Sequence, residues 1–183
     1  RGLHAAYLLL DKIKATPELQ YIVDEYEFIK KYKKQWEVAP YPPTFVTVDA
    51  VVTQSGHVLL VKRKDQPGKG LYALPGGYLN QTETLQEGMI RELYEETRID
   101  VPKPVLVGSI ASQHTYDDPN RSLRGRVITE AFHIKLKDLP TLPKVKGSDD
   151  AEKAFWMPLG EVKISRDKFF EDHYSILEHM IGI

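Results

Sequence analysis

The stretch LPGGYLNQTETLQEGMIRELYEETRI, residues 74–99, decides how the rest of the chain is read. Behind the Gly76-Gly77 pair lies a segment patterned as one amphipathic helix, yet it crowds Glu92, Glu95 and Glu96 together. Thr84-Leu85-Gln86-Glu87 fits a capping box, so the spacing predicts a helix from near Leu85 to about Thr97. At about 100° per residue, Leu85, Met89, Ile90 and Leu93 form the expected buried stripe. On the same wheel Glu92 and Glu96 lie about 40° apart, with Glu95 about 60° to the other side of Glu92. Glu96 projects between the directions of Leu85 and Met89, so the acidic face borders the core. Like charges so placed repel by about 0.2–0.5 kcal/mol per i,i+4 pair even when exposed. Hard divalent cations among them would relieve that repulsion, because Mg2+ prefers carboxylate, carbonyl and water oxygens. The competing reading is a solvated acidic face. Two neighbours weigh against it. Gly76-Gly77 permits a tight backbone turn that can aim a carbonyl at the acids, and Arg91 and Glu83 are suited to tie loop to helix by a charge pair.

Working outward, the 183 residues suit one domain of ordinary size with a short appendage. Hydrophobic residues at 42% and charged residues at 28% give the balance of a soluble globular protein. No apolar run is long enough for a membrane span. The absence of cysteine excludes disulfides and thiolate zinc sites, and a cytoplasmic address is expected. A net charge of -1 argues against a dedicated nucleic-acid binder. The chain opens on Arg1 and not on methionine, as expected of a piece of something longer.

PELQYIVDEYEFIKKYKKQW, residues 17–36, spaces apolar residues by three and four and predicts an amphipathic helix. APYPPT, residues 39–44, cannot continue it and reads as a domain boundary. FVTVDAVVT and HVLLVKR predict strands joined by a turn at Gln54-Ser55-Gly56. VLVGSIASQ, RVITEAFHIKL and EKAFWMPL are further strand candidates, and residues 167–180 read as helical. Sheet segments flanking a central helix, with another helix near the end, point to a mixed α/β sandwich.

The acidic segment resembles the Nudix box, G-x5-E-x7-R-E-U-x-E-E-x-G-U with U aliphatic. Gly77, Glu83, Arg91, Glu92, Leu93, Glu95, Glu96 and Ile99 fall in register. The one departure is Arg98 in place of glycine, which bears on how the helix ends more than on chemistry. PYPPTFVTVDAVV, LPGGY, RSLRGRVIT and KGSDDAEKAFWMPL extend the resemblance to the Nudix domain of the bifunctional nicotinamide mononucleotide adenylyltransferase/ADP-ribose pyrophosphatase family, over residues 17–180. In that family an adenylyltransferase domain lies upstream; its HxGH motif is absent here. Residues 1–42 are then expected to be a helical connecting segment with a Pro-rich linker, and residues 43–183 the Nudix domain.

The resemblance implies an α/β (α+β) Nudix fold, with mixed β-sheets sandwiched between helices. It implies Mg2+-dependent hydrolysis of ADP-ribose to AMP and ribose 5-phosphate in NAD-related metabolism. The alternatives are another nucleoside diphosphate derivative as substrate, or a non-catalytic ADP-ribose-sensing domain. Carried over by position, Glu92, Glu95 and Glu96, with the Gly76 carbonyl, hold Mg2+ or Mn2+, and Arg91 and Glu83 orient loop and helix. The general base stays open between a box glutamate and Asp149, Asp150 or Glu152. Arg124 or Arg126 is the expected phosphate contact, with Asp117 and Asp118 structuring their loop and Arg121 nearby; surface ion pairing is the alternative for each. Lys62, Arg63 and Lys64 either face phosphate or mark an exposed strand end. Tyr72, Tyr78 and Tyr116 are candidates for stacking on adenine, or else packing residues. A homodimer is expected; neither nucleic acid nor membrane is an expected partner. The histidines lack metal-ligand spacing and are read as ordinary.

Overall fold

The computed structural model describes residues 16–146 and 151–183, with only the backbone of residues 151–153. Contacts divide the chain into two compact units, Arg1–Pro42 and Pro43–Ile183. In the first, helix α1 (Pro17–Gln35) begins where Thr16 Oγ1 accepts the Leu19 N–H at 3.3 Å. Pro17 suits the first turn because its missing N–H would have no partner there. Lys33 and Lys34 in the last turn complement the helix dipole. The expected apolar stripe is not buried: no residue of α1 is buried.

The second unit is built on a seven-stranded sheet. Its strands are β1 (Thr44–Gln54), β2 (His57–Arg63), β3 (Tyr72–Ala73), β4 (Gly76–Tyr78), β5 (Ile110–Tyr116), β6 (Arg126–Lys135) and β7 (Ala151–Pro158). The main path runs β3-β2-β1-β6-β5, while β4 pairs with β1 and β7 with β2. β1 and β6 are parallel over their length, and the remaining pairings are antiparallel. β1 is buried from Val48 to Val52 because both faces of the sheet are covered. Val48, Ala50 and Val52 on one face pack with Met89, Ile90 and Leu93 of helix α2 (Leu85–Thr97). Val51 on the other face packs with Tyr174, Ile176 and Leu177 of helix α5 (His173–Ile181). The sheet is thus sandwiched between helices, as expected.

α2 starts and stops where the pattern placed it. Thr84 and Glu87 form the reciprocal capping box. Leu85 departs from the expected stripe: it is 37% exposed, one turn short of the sheet, so Met89, Ile90 and Leu93 make the contact. Residues 105–108, read as the start of a strand, instead belong to helix α3 (Lys103–Gly108). Pro104 lies in its first turn, where proline is tolerated. Burial of Leu106 beside a 50% exposed Val105 is then the one-sided pattern of a helix turn. The helix expected over residues 167–180 is realised as a 3-10 turn, Arg166–Lys168, followed by α5. A short helix α4 (Leu159–Ile164) was not signalled by the sequence pattern.

Candidate active site

Arg91, near the middle of α2, gathers the acidic residues around it. Its Nε and Nη2 donate to the two oxygens of Glu83 at 2.9 and 2.6 Å. Nη1 donates to Glu92 Oε1 at 2.7 Å and Glu95 Oε2 at 3.1 Å, and Nη2 also donates to the Tyr78 carbonyl at 3.1 Å. The planar guanidinium suits this role because its donors form a rigid fork. Its bonds, with the Asn80 N–H, hold the Glu83 carboxyl down at about 2. The charge pair expected from sequence therefore exists, and it relieves much of the repulsion that first suggested a metal. Among the described residues no three acidic or histidine side chains converge as a ready-made ion cage. Arg91 draws Glu92 and Glu95 towards itself, and Glu95 is 59% exposed.

Glu96 differs from these. Among the described residues no arginine is hydrogen-bonded to it, although the charge of Arg63 acts on it, and it accepts the Gly76 N–H at 3.0 Å through Oε2. Burial pushes its carboxyl up to about 8, against the lowering effect of that hydrogen bond. Burial likewise raises Glu92, although Arg91 opposes it. The two glycines make this arrangement fit, by a different route from the tight turn expected. Both lie in β4, and neither has the positive φ of a special turn. What they permit is close approach. A Cβ on Gly76 would lie 2.2 Å from the Val48 carbonyl oxygen and 2.5 Å from Asp49 Oδ1, and one on Gly77 2.5 Å from Glu92 Oε1.

Gly76 and Glu96 form part of the wall of a cleft of about 290 Å3. β1 contributes Thr47 and Asp49, the end of β2 contributes Lys62 and Arg63 followed by Lys64, and the turn before α5 contributes Phe170 and Glu171. Arg124 reaches in from the loop before β6, fixed by Glu171 at 3.1 Å and Ser122 Oγ at 3.1 Å, and it donates to the Tyr78 hydroxyl at 3.3 Å. Arg63 lies over the Phe170 ring, 4.1 Å from its centroid. The cleft thus sets carboxylates against guanidinium and ammonium groups around an aromatic floor. Such a surface can take a polyanion when cations balance its acidic wall.

Of the residues singled out from sequence, Gly76, Gly77, Glu96, Arg63, Arg121, Arg124, Lys62, Lys64 and Tyr78 line the cleft. Arg126 and Tyr116 do not: Arg126 donates to the Asp117 carbonyl, and the Tyr116 hydroxyl meets His179 Nδ1 at 2.8 Å. Tyr72 packs against Phe155 and Phe169 as a core residue. Asp118 structures its loop by accepting the Asn120 N–H at 2.7 Å. Arg121 is not a surface ion pair with these aspartates; its side chain is 3% exposed and forks onto Asp172 at 2.8 and 2.9 Å. Asp149 and Asp150 lie outside the described residues, as does the side chain of Glu152.

Several cleft residues escaped the sequence reading, Phe170 and Glu171 among them, and two of them are buried and titratable. Asp49 is 5% exposed and accepts the Thr129 hydroxyl at 2.6 Å; burial raises its carboxyl to about 6 despite that bond. A lone acid inside the apolar run VTVDAVV was the signal that could have found it. His173 is buried, not ordinary, and its Nδ1 accepts the Leu74 N–H at 2.9 Å. No local spacing announces that contact.

The family model described as NUDIX domain matches residues 43–180. An ADP-ribose pyrophosphatase of Methanocaldococcus jannaschii is 33% identical over 150 residues, covering 82% of this chain and 77% of that protein. An ADPR responsive transcriptional repressor of Acinetobacter baylyi is 29% identical over 160 residues, covering 84% of this chain and 58% of its own length. Among solved structures, a bifunctional NMN adenylyltransferase/ADP ribose pyrophosphatase from Francisella tularensis, complexed with AMP and a manganese ion, superposes with TM-score 0.92 at 39% identity. The match covers 97% of this chain and 52% of that one, so the chain spans about half the length of that protein.

Proposed function

The chain belongs to the NUDIX family, and we propose that its pyrophosphohydrolase site cleaves ADP-ribose to AMP and ribose 5-phosphate with Mg2+ or Mn2+. The observation that carries this reading is Glu96: a half-buried carboxylate that, among the described residues, no arginine bonds, set beside Gly76 in a cleft that also holds Arg63 and Arg124. Its donor chemistry fits a hard cation. A carboxyl raised to about 8 by burial keeps its charge at neutral pH when a cation lies beside it. Glu92, Glu95 and Glu96, with the Gly76 carbonyl, would hold the ion. Once bound, a divalent cation supplies charge neutralisation for the diphosphate and makes water a stronger acid.

The other roles follow from position and charge. Arg91 fixes Glu83 and the Tyr78 carbonyl, and so orients loop and helix towards each other. Glu83, held down at about 2, is a positioning residue and a poor proton acceptor near neutrality. Arg124 and Arg63 would bind the diphosphate, since fixed guanidinium groups hold phosphate without reorganising during in-line attack. Residues 1–42 would connect this domain to an upstream adenylyltransferase domain of the kind in the Francisella tularensis protein, which would set the activity in NAD-related metabolism.

The similarity to the Acinetobacter baylyi repressor favours one second reading, ADP-ribose binding without turnover. Both are tested by offering ADP-ribose, NADH, diadenosine polyphosphates and nucleoside triphosphates, each with Mg2+, Mn2+ or chelator. The expected result is chelator-sensitive AMP release, fastest from ADP-ribose. Preference for another compound would replace the substrate, and saturable ADP-ribose binding with no product would favour the sensor.

A further inference from the structure

The roles above leave one buried ring in the cleft without a task. His173, the first residue of α5, is 7% exposed, and its Nδ1 accepts the Leu74 N–H at 2.9 Å. A ring nitrogen that accepts a hydrogen bond carries no proton, so the proton of the neutral imidazole resides on Nε2. Burial pushes the imidazolium pKa down to about 3; Asp172 opposes that and Arg121 adds to it, so the ring is neutral at physiological pH. The ring lines the cleft, and Nε2–H has no protein partner among the described residues. Nε2 is not a fully enclosed atom: it is open to the cleft, where a water or a ligand oxygen can accept from it.

We propose that His173 Nε2–H donates to a phosphate oxygen of the nucleoside diphosphate bound in this cleft. The inference rests on the pyrophosphohydrolase reading and adds a specificity residue to it. Leu74 lies two residues before Gly76, whose N–H meets Glu96, so the Leu74 bond fixes the ring close to the acidic wall. Arg63 and Arg124 line the same cleft, and their charge draws phosphate in preference to a neutral acceptor. A neutral donor fits there because a further buried cation would repel these arginines. Arg121, which also lines the cleft, is engaged by the Asp172 fork.

Two substitutions separate a ligand contact from a structural one. Asparagine places an amide oxygen near the position of Nδ1 and can keep the Leu74 bond, but puts nothing at Nε2. Glutamine places an amide nitrogen near Nε2 and loses the Leu74 bond. The probes are α,β-methylene-ADP, which resists hydrolysis at its bridging carbon, and methylenediphosphonate, which carries no nucleoside. Each is titrated calorimetrically with Mg2+ into wild type, His173→Asn and His173→Gln. The expected result is about tenfold to hundredfold weaker binding of both probes by His173→Asn, at near wild-type Tm, with most of the loss recovered in His173→Gln. Methylenediphosphonate should also shift the Nε2 15N resonance of the wild-type ring. Unchanged affinity in His173→Asn, or an unmoved Nε2 resonance on saturation, overturns the donor role. Weakened binding of α,β-methylene-ADP alone overturns the phosphate assignment in favour of an acceptor on the nucleoside. Wild type that binds neither probe removes the pyrophosphohydrolase reading and this proposal with it.

Discussion

Glu96 holds its carboxyl near 8 because burial outweighs the hydrogen bond from Gly76. Its folded pKa lies above the ordinary value of 4.5, so its contribution is fully present below that value and is lost as pH rises through about 8. In metal-free protein, Glu96→Gln should therefore melt close to wild type at pH 5 and higher than wild type at pH 8. Comparing the two proteins isolates this residue from Asp49, which is shifted in the same sense, and from His173, which is shifted in the opposite one. With Mg2+ the order should change, because an ion bound only by the folded state adds about 2.7 kcal/mol at a hundredfold excess over Kd. Wild-type Tm should rise with Mg2+, that of Glu96→Gln should rise far less, and its turnover should fall about 10²–10³-fold. Thermal melts at the two pH values, with and without the ion, check all three. Equal stabilisation of both proteins by Mg2+ would remove Glu96 from the metal site.

At the scale of the element, α2 explains the one departure from the box. Arg98 caps the helix in the left-handed region, at φ 45 and ψ 39, and its N–H bonds to the Tyr94 carbonyl. This conformation costs a residue with a Cβ roughly 1–2 kcal/mol, and glycine much less. Arg98→Gly should accordingly stabilise the protein by about 1 kcal/mol after the added freedom of the unfolded chain is subtracted. Urea unfolding would show this as a raised midpoint with unchanged slope; a lowered midpoint would mean that the Arg98 side chain contributes more than its backbone costs. The extent of α2 was legible because its signals are local: Thr84 and Glu87 are three residues apart, and the apolar period continues to Leu93. The function of Gly76 and Gly77 was not legible. Their crowding comes from Val48, Asp49 and Glu92, which reach them only after β4 has paired with β1 and α2 has packed. VLVG was ambiguous for a related reason, since a short apolar run has no period to separate strand from helix.

At the scale of the whole Nudix unit, the cleft depends on joining segments that are remote in the chain. The fork from Arg121 to Asp172 ties the loop before β6 to the start of α5, and the pair from Arg124 to Glu171 runs beside it. Asp172→Ala would leave the Arg121 guanidinium buried without its partner and should destabilise the fold by about 3–5 kcal/mol, a large part of the stability of an ordinary domain. Urea unfolding measures it; a loss below about 1 kcal/mol would show that the fork is not a tie between the segments. Sequence spacing cannot reveal such a pair, which is why Arg121 read as a surface residue and His173 as unremarkable. The acidic box was legible from one helix and Arg63, Arg124 and Tyr78 were named as candidates, whereas their separation from Arg126 and Tyr116, which lie elsewhere, had to await the fold.

On the function proposed above, the acidic helix and this cleft together break a diphosphate linkage. The direct measurement is the 31P spectrum of ADP-ribose incubated with wild-type protein and Mg2+, in parallel with a sample containing chelator. The account predicts that the diphosphate signals give way to two phosphomonoester signals in equal amount, those of AMP and ribose 5-phosphate, only where Mg2+ is available. Persistence of the diphosphate signals with Mg2+ present, or equal loss under chelator, would contradict it.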